Sequence, residues 1–272
     1  MRLIFDFDGT ITTHDTISYL VKESIRLQKQ RTGADLTHDW KRIEKQYMED
    51  YEAYKSTYKP IASERTNLPQ ELEYLSGFRK VDEKSMARVE TAGIFNRISK
   101  SQFRSVGSKA LKPEGELELR SGFSEIVELA NKRKWHVYVL SINWSAAFIE
   151  GLLEKYPGVK VVANETTDDG RIIGPPEANG QTLSGPSDKL KALKGILGES
   201  GDRTIYFGDS TTDIKCLLHD RGIIMGAQDS SLLKTLHRIG MDVQSAKSES
   251  KTENIYWANN FHEVLDGDVL EP

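Results

Sequence analysis

An apolar run, Leu3-Ile4-Phe5, ends abruptly in Asp6-Phe7-Asp8-Gly9-Thr10. This reads as a buried strand running out into a glycine turn. Residues i and i+2 of a strand share a face, so Asp6 and Asp8 are expected to point into one pocket. Two carboxylates that close repel each other unless a cation lies between them or one is protonated. The pair suits a magnesium-dependent phosphoryl transfer, one Asp attacking phosphorus and the other handling the proton. Taken alone, the five residues also fit a plain strand and Asp-Gly turn, the less favoured reading.

Three further segments extend the pattern. Val137-Tyr138-Val139-Leu140 is a second apolar strand and ends at Ser141. Ser187-Asp188-Lys189-Leu190 opens a helical stretch with an early lysine, and Thr204-Ile205-Tyr206-Phe207 runs into Gly208-Asp209-Ser210-Thr211-Thr212-Asp213. Acid pair, hydroxyl, lysine and second acid pair follow in order, each at the end of a strand or the start of a helix. In open parallel α/β sheets that edge is where active sites lie.

In these four segments the chain resembles the phosphatase branch of the haloacid dehalogenase superfamily. Asp6 and Asp8 match its first motif, Ser141 the second, Lys189 the third, and Asp209 with Asp213 the fourth. Arg120-Ser121-Gly122-Phe123 is similar to the Arg-Pro-Gly stretch of phosphoserine-phosphatase-like members, with Ser in place of Pro. The resemblance covers residues 1–15 and about 115–240. It implies an α/β fold, a Rossmann-like doubly wound parallel sheet carrying an inserted helical cap.

The alternation of strand and helix patterns agrees with that fold. Core strands are predicted at 2–6, 136–141, 159–163, 204–207 and 222–225, with helices around 123–133, 145–154, 188–197, 211–219 and 230–238. Turn signals at Asp169-Gly170 and Gly174-Pro175-Pro176 frame a hairpin around Arg171-Ile172-Ile173. Residues 244–253, polar and rich in Ser and Lys, read as a surface loop, and Ile255-Tyr256-Trp257 with 261–265 as a closing strand and helix. Residues 15–110 read as nearly all helix. The expected organisation is therefore a catalytic core of 1–14 and 111–272 with a helical cap over 15–110.

Composition narrows the function classes. No stretch approaches the ~20 apolar residues of a membrane span, and no signal-peptide run precedes the first strand. A single cysteine, Cys216, excludes an internal disulfide and agrees with a reducing, cytoplasmic setting; it reads as a buried packing residue. The six histidines show no zinc-binding spacing, and Asn143-Trp144-Ser145 and Asn164-Glu165-Thr166 fit the glycosylation pattern by accident. Residues 15–110 hold 18 basic against 14 acidic side chains, and the remainder 19 against 27. That excess is too small to indicate nucleic acid, and the oligomeric state is open.

Trp40, Tyr47, Tyr51, Tyr54 and Tyr58 fall on one helical face. They form either a packing stripe, the favoured reading, or a stacking surface for a planar substrate.

By resemblance, Asp6 is the nucleophile that forms an aspartyl-phosphate, and Asp8 the acid and base. Ser141 donates to a phosphoryl oxygen, and Lys189 offsets the negative charge, with Lys191 and Lys194 as neighbouring alternatives. Mg2+ is held by Asp6, the Asp8 carbonyl and Asp209, with Asp213 as an outer acid. Thr10 and Asn143 shape the phosphate loop, and Asp15 occupies the place of a substrate-contacting acid or of an ordinary first-turn acid. The implied partner is a small phosphate ester. Ser141-Ile142-Asn143-Trp144-Ser145 departs from the Ser-Gly-Gly of phosphoserine phosphatases. Together with Asn164-Glu165, Asp188-Lys189 and Gly208-Asp209-Ser210, it is more similar to fungal phosphatase-like proteins and to the phosphatase half of plant thiamin-monophosphate phosphatases. Thiamin monophosphate is thus the first named substrate. Pyrimidine nucleotides and other phosphorylated vitamins follow; a phosphoserine phosphatase-like enzyme and a non-catalytic regulatory or binding protein are the alternatives, while Asp8 and Asp209 argue against a haloacid dehalogenase.

Overall fold

The computed structural model describes residues 1–113, 115–248, 254–267 and 269–270. Strand β1 (Arg2–Phe5) is followed by five helices, α1 (Ile17–Thr32), α2 (Thr37–Thr57), α3 (Leu68–Gly77), α4 (Arg79–Ala92) and α5 (Lys100–Ser108). Strand and helix then alternate through α6 (Phe123–Lys132), β2 (His136–Leu140), α7 (Ala146–Leu152) and β3 (Val159–Val162). The hairpin β4 (Glu165–Thr166) and β5 (Ile172–Ile173) precedes α8 (Pro186–Leu197), β6 (Thr204–Gly208), α9 (Ile214–Leu217), β7 (Arg221–Met225) and α10 (Ser231–Arg238). The last elements are β8 (Gln244–Ser245), β9 (Ile255–Ala258) and α11 (Phe261–Asp266).

Among the described residues, seven strands form one sheet in the order β3-β2-β1-β6-β7-β9-β8, every neighbouring pair parallel. Side chains alternate across it and build two cores. Leu3, Phe5, Val137, Val139, Ile205 and Phe207 enter one, while Ile4, Leu140, Tyr206 and Ile224 enter the other. Burial on both faces is why these strands read as unbroken apolar runs. No helix among the described residues is long and apolar enough to cross a membrane.

Two expectations need correction. The first strand stops at Phe5, one residue short of Asp6. The polar stretch from 244 starts as a strand, with Gln244 and Ser245 paired to Tyr256 and Trp257; residues 249–253 lie outside the described residues. The hairpin around Ile172 and the closing strand and helix are present as expected.

Of the helices between β1 and β2, α1, α4, α5 and α6 join the core of Phe5, whereas Tyr74 and Leu75 of α3 join the other. Leu20, Val21 and Ile25 of α1 join the cluster of Phe5 and Phe7. Helix α5 lies so close to α7 that a Cβ on Gly107 would come within 2.0 Å of the Phe148 carbonyl oxygen. Farther out, Glu71 of α3 is buried between two arginines, 2.8 Å from Arg65 Nε and 2.7 Å from Arg238 of α10. Arg65 also lies over the Tyr74 ring at 3.7 Å.

Removing the shared acid leaves the buried Arg65 guanidinium without its carboxylate and frees the half-buried Arg238. Glu71→Ala is expected to lower stability in urea by about 3–5 kcal/mol, the cost of breaking a buried ion pair. Lys45→Ala, which removes an exposed pair at 3.8 Å, should cost under about 1 kcal/mol. Equal losses for the two variants would show that the Glu71 network does not anchor these helices.

Candidate active site

The site starts where β1 ends. The Asp6 N–H donates to the Phe207 carbonyl at 2.8 Å, carrying the β1–β6 ladder one step past the strand. Phe7–Ile11 then forms a wide turn, closed by Thr12 N–H donating to the Phe7 carbonyl at 3.0 Å. Gly9 sits at φ +75° with Asp209 against it: a Cβ there would lie 2.3 Å from Asp209 Oδ2. Arg120 braces the turn, donating to the carbonyls of Thr10 at 2.9 Å, of Asn259 at 2.8 Å, and of Gly9.

Asp8 is held from the opposite side. Thr16 donates to its Oδ1 from the backbone N–H at 2.7 Å and from Oγ1 at 2.6 Å. Asn143 Nδ2 donates to its Oδ2 at 3.0 Å. Burial nevertheless pushes the Asp8 carboxyl up to about 6, with the charge of Asp15 adding and the Thr16 and Asn143 bonds opposing.

A buried ion cluster occupies the centre. Lys189, in the first turn of α8 and fully buried, donates to Asp6 Oδ1 at 2.6 Å and to Asp213 Oδ1 at 2.7 Å. Burial disfavours its ammonium, but the charges of Asp213 and Asp6 outweigh that and raise it above the usual lysine range. Lys191 instead reaches Gln181, at 3.0 Å, and Lys194 is exposed, so Lys189 is the lysine at this centre. Both Asp213 oxygens are taken: Oδ1 also accepts from Tyr206 at 2.7 Å, and Oδ2 from Ser210 N–H and Oγ at 3.2 Å each. Asp209 Oδ1 accepts from Thr10 Oγ1 at 3.1 Å.

The acids are not charged against one another as the spacing of Asp6 and Asp8 suggests. Asp6 is raised well above the carboxylate range by burial, then by Asp213, and less by Asp209. Asp209 is pushed up to about 6 by burial and by Asp213. Because the strand has ended before Asp6, the turn rather than strand alternation presents the two motif acids. Each meets a different acidic neighbour.

Asp6, Asp209 and Asp213 offer oxygens within 4.8 Å of one another, the group of this kind found among the described residues. Hard carboxylate donors with more negative charge than one lysine neutralises suit a small divalent cation. Asp6 and Asp209 fit direct contact better than Asp213, whose oxygens are already engaged.

Asp6, Asp8, Asp15, Asn143, Lys189 and Asp209 all line one cavity of about 900 Å3. Thr10, Ser141 and Asp213 are buried behind its surface. The Ser141 hydroxyl accepts the Asn143 N–H at 3.0 Å and keeps its own proton to donate. Asp15 accepts the Ile17 N–H at 2.8 Å, opening α1 while facing the cavity. Asn143 and Asn164 are fully buried, so the two glycosylation patterns are not acceptors. Asn164 ties the Ser141 loop down, donating to the Ile142 and Leu183 carbonyls at 3.0 Å each. Cys216 is buried, with its thiol pushed up by that burial, and packs rather than reacts.

Sequence reasoning missed Thr16 and Tyr206 as site residues. A lone Thr ahead of a helix and a Tyr inside a strand carry no distinctive signal. The aromatic stripe divides: Trp40, Tyr47 and Tyr51 face the cavity, whereas Tyr54 stacks on Tyr74 at 5.6 Å and donates to its carbonyl.

A parallel sheet with buried acids and a lysine at its C-terminal edge defines a hydrolase class. Residues 3–218 match the haloacid dehalogenase-like hydrolase family, and the chain belongs to it. A CTO1 family protein of Schizosaccharomyces pombe is 28% identical, the match covering 80% of this chain and 78% of that one. The Bifunctional TH2 protein, mitochondrial, of Arabidopsis thaliana is also 28% identical over 86% of this chain, which spans 40% of that longer protein. In structure, a phosphoserine phosphohydrolase-like protein from Francisella tularensis superposes with a TM-score of 0.54 at 17% identity, covering 97% of both chains. That similarity establishes the fold.

The turn geometry makes Gly9 sensitive. Gly9→Ala adds left-handed strain of roughly 1–2 kcal/mol and drives a methyl group into Asp209. Urea unfolding is expected to show that loss of stability, and a wild-type unfolding curve would contradict the role given to this turn.

Proposed function

We propose that this protein is a magnesium-dependent phosphatase that hydrolyses a small phosphorylated metabolite through an aspartyl-phosphate. The supporting observation is that Asp6 sits at the floor of the cavity, bound to a lysine, while Asp8 is held separately at its wall. An Asp6 oxygen attacks phosphorus, the bond to the ester oxygen breaks, and that oxygen takes a proton from Asp8. Water then attacks the same phosphorus and gives its proton to Asp8. The Asp6–phosphorus bond breaks and releases inorganic phosphate. Burial raises the Asp8 carboxyl to about 6, so its protonated form is easier to reach than that of an ordinary aspartate.

Lys189 keeps a positive charge beside Asp6 and the transferring group. Ser141 donates its free hydroxyl proton to a phosphoryl oxygen, with Thr10 and Asn143 shaping the surrounding loop. Asp6, the Asp8 carbonyl and Asp209 would hold Mg2+, with Asp213 behind them; the ion would offset the carboxylate and phosphoryl charges. Residues 15–110 act as a cap that selects the leaving group, and Asp15 faces it from the cap's start. For that leaving group we propose the thiamin moiety of thiamin monophosphate. The resemblance of the 141–145 segment supports this choice, as do the aromatic rings in the cavity.

Phosphate release from thiamin monophosphate is expected to require Mg2+ and to stop with a chelator. Asp6→Asn should lower it by at least about a thousandfold. Release that persists in Asp6→Asn, or no turnover of any ester in a panel including phosphoserine and nucleotides, would overturn the reading. Thr16→Val removes one of the bonds that orient Asp8. It should cut kcat about tenfold, less than the roughly 100- to 10,000-fold that general acid–base catalysis supplies as a whole, with KM nearly unchanged.

A further inference from the structure

Away from Asp6 the cavity wall is built from rings. Tyr51 stacks on Phe78 at 4.8 Å, and Trp144 meets Trp40 edge-on at 6.4 Å, so these rings hold one another in place. The charges in this wall are unevenly compensated. Each cation reaching the cavity is already bound to a carboxylate: Lys189 to Asp6 and Asp213, Arg65 and Arg238 to Glu71. Among the described residues no such ion pair joins Asp15, Glu44 or Asp82, all of which line the same cavity. Arg79, one turn before Asp82 on α4, is turned to Glu83 at 2.8 Å and to Asp188 at 2.7 Å, so its charge offsets Asp82 only in part.

Asp82 is the half-buried member of these three acids. Tyr47, on the facing helix α2, is its polar neighbour across the cavity wall. Burial pushes the Asp82 carboxyl up to about 7, with Tyr47 opposing, and pushes the Tyr47 phenol up to about 12. A negative charge here is therefore costly until a cation arrives. Ring faces attract cations as well, most strongly when water is excluded.

We propose that Asp82, together with the surrounding aromatic wall, is a specificity-determining residue that selects phosphate esters whose leaving group bears a positively charged planar ring. The proposal rests on the phosphatase reading and adds the recognition of the part of the substrate that carries no phosphate. A neutral ring gains the stacking but leaves Asp82 uncompensated. An anionic ring is repelled by all three acids.

The test uses two esters that differ in ring charge, the phosphates of 2-phenylethanol and of 3-(2-hydroxyethyl)-1-methylpyridinium. Calorimetry on Asp6→Asn protein with Mg2+ measures binding without turnover. The pyridinium ester is expected to bind about tenfold more tightly or better, the scale of one desolvated cation–π contact with its counter-charge. Adding Asp82→Asn should bring the ratio close to one, and Asp82→Glu should keep most of it. In wild-type kinetics the same ratio should appear in KM more than in kcat. Equal binding of the two esters to Asp6→Asn protein overturns the proposal, as does a preference that survives Asp82→Asn. Selective binding with no hydrolysis of either ester would sink the phosphatase reading and leave the assignment of Asp82 standing.

Discussion

The ammonium of Lys189 holds the C-terminal edge of the sheet together, wedged between Asp6 and Asp213 with no access to solvent. Burying an ion costs several kcal/mol unless it is paired and hydrogen-bonded, so each of these three groups requires the other two. The sheet makes the meeting possible. Because β1 and β6 pair in register, with Phe5 opposite Phe207, the residues following each strand emerge side by side. Asp6 leaves one strand, Asp209 and Asp213 follow the other, and α8 delivers the lysine across both. Tyr206 and Ser210 then occupy the remaining Asp213 oxygens, which leaves Asp6 and Asp209 facing the cavity.

The helical segment is tied to this centre by charge as well as by packing. Arg79 on α4 reaches Asp188, the residue before Lys189, and Asp188 in turn accepts the Ser184 and Gly185 N–H groups that open α8. Glu71 on α3 reaches Arg238 on α10. The surface proposed to choose the leaving group thus rests on the elements that carry the reacting groups. A shift of α3 or α4 would be felt at the start of α8.

Much of this was legible in the sequence, and for identifiable reasons. Strands buried on both faces must be apolar throughout, so β1, β2 and β6 stood out as runs. The acids and lysine stood out because charged residues directly beyond such runs need a cause. Strand parity misled for Asp6 and Asp8, since β1 ends before either acid and a wide turn presents them. The bonds from Thr16 to Asp8 and from Tyr206 to Asp213 were invisible, because common residue types acquire such roles through contacts alone. The stripe on α2 gave the helix face correctly, but not that Tyr54 would pack inward while Tyr51 faced the cavity.

The sequence by itself determined the layered parallel sheet and the order of the four motif segments, because periodicity and local turn chemistry are written residue by residue. The tertiary structure decided which lysine meets Asp6, which acid each carboxylate feels, and which rings and acids share the cavity. Those outcomes depend on distances between residues far apart in the chain. Asp6 and Lys189 are 183 positions apart in sequence and 2.6 Å apart in space, and only the packed sheet and helices set that separation.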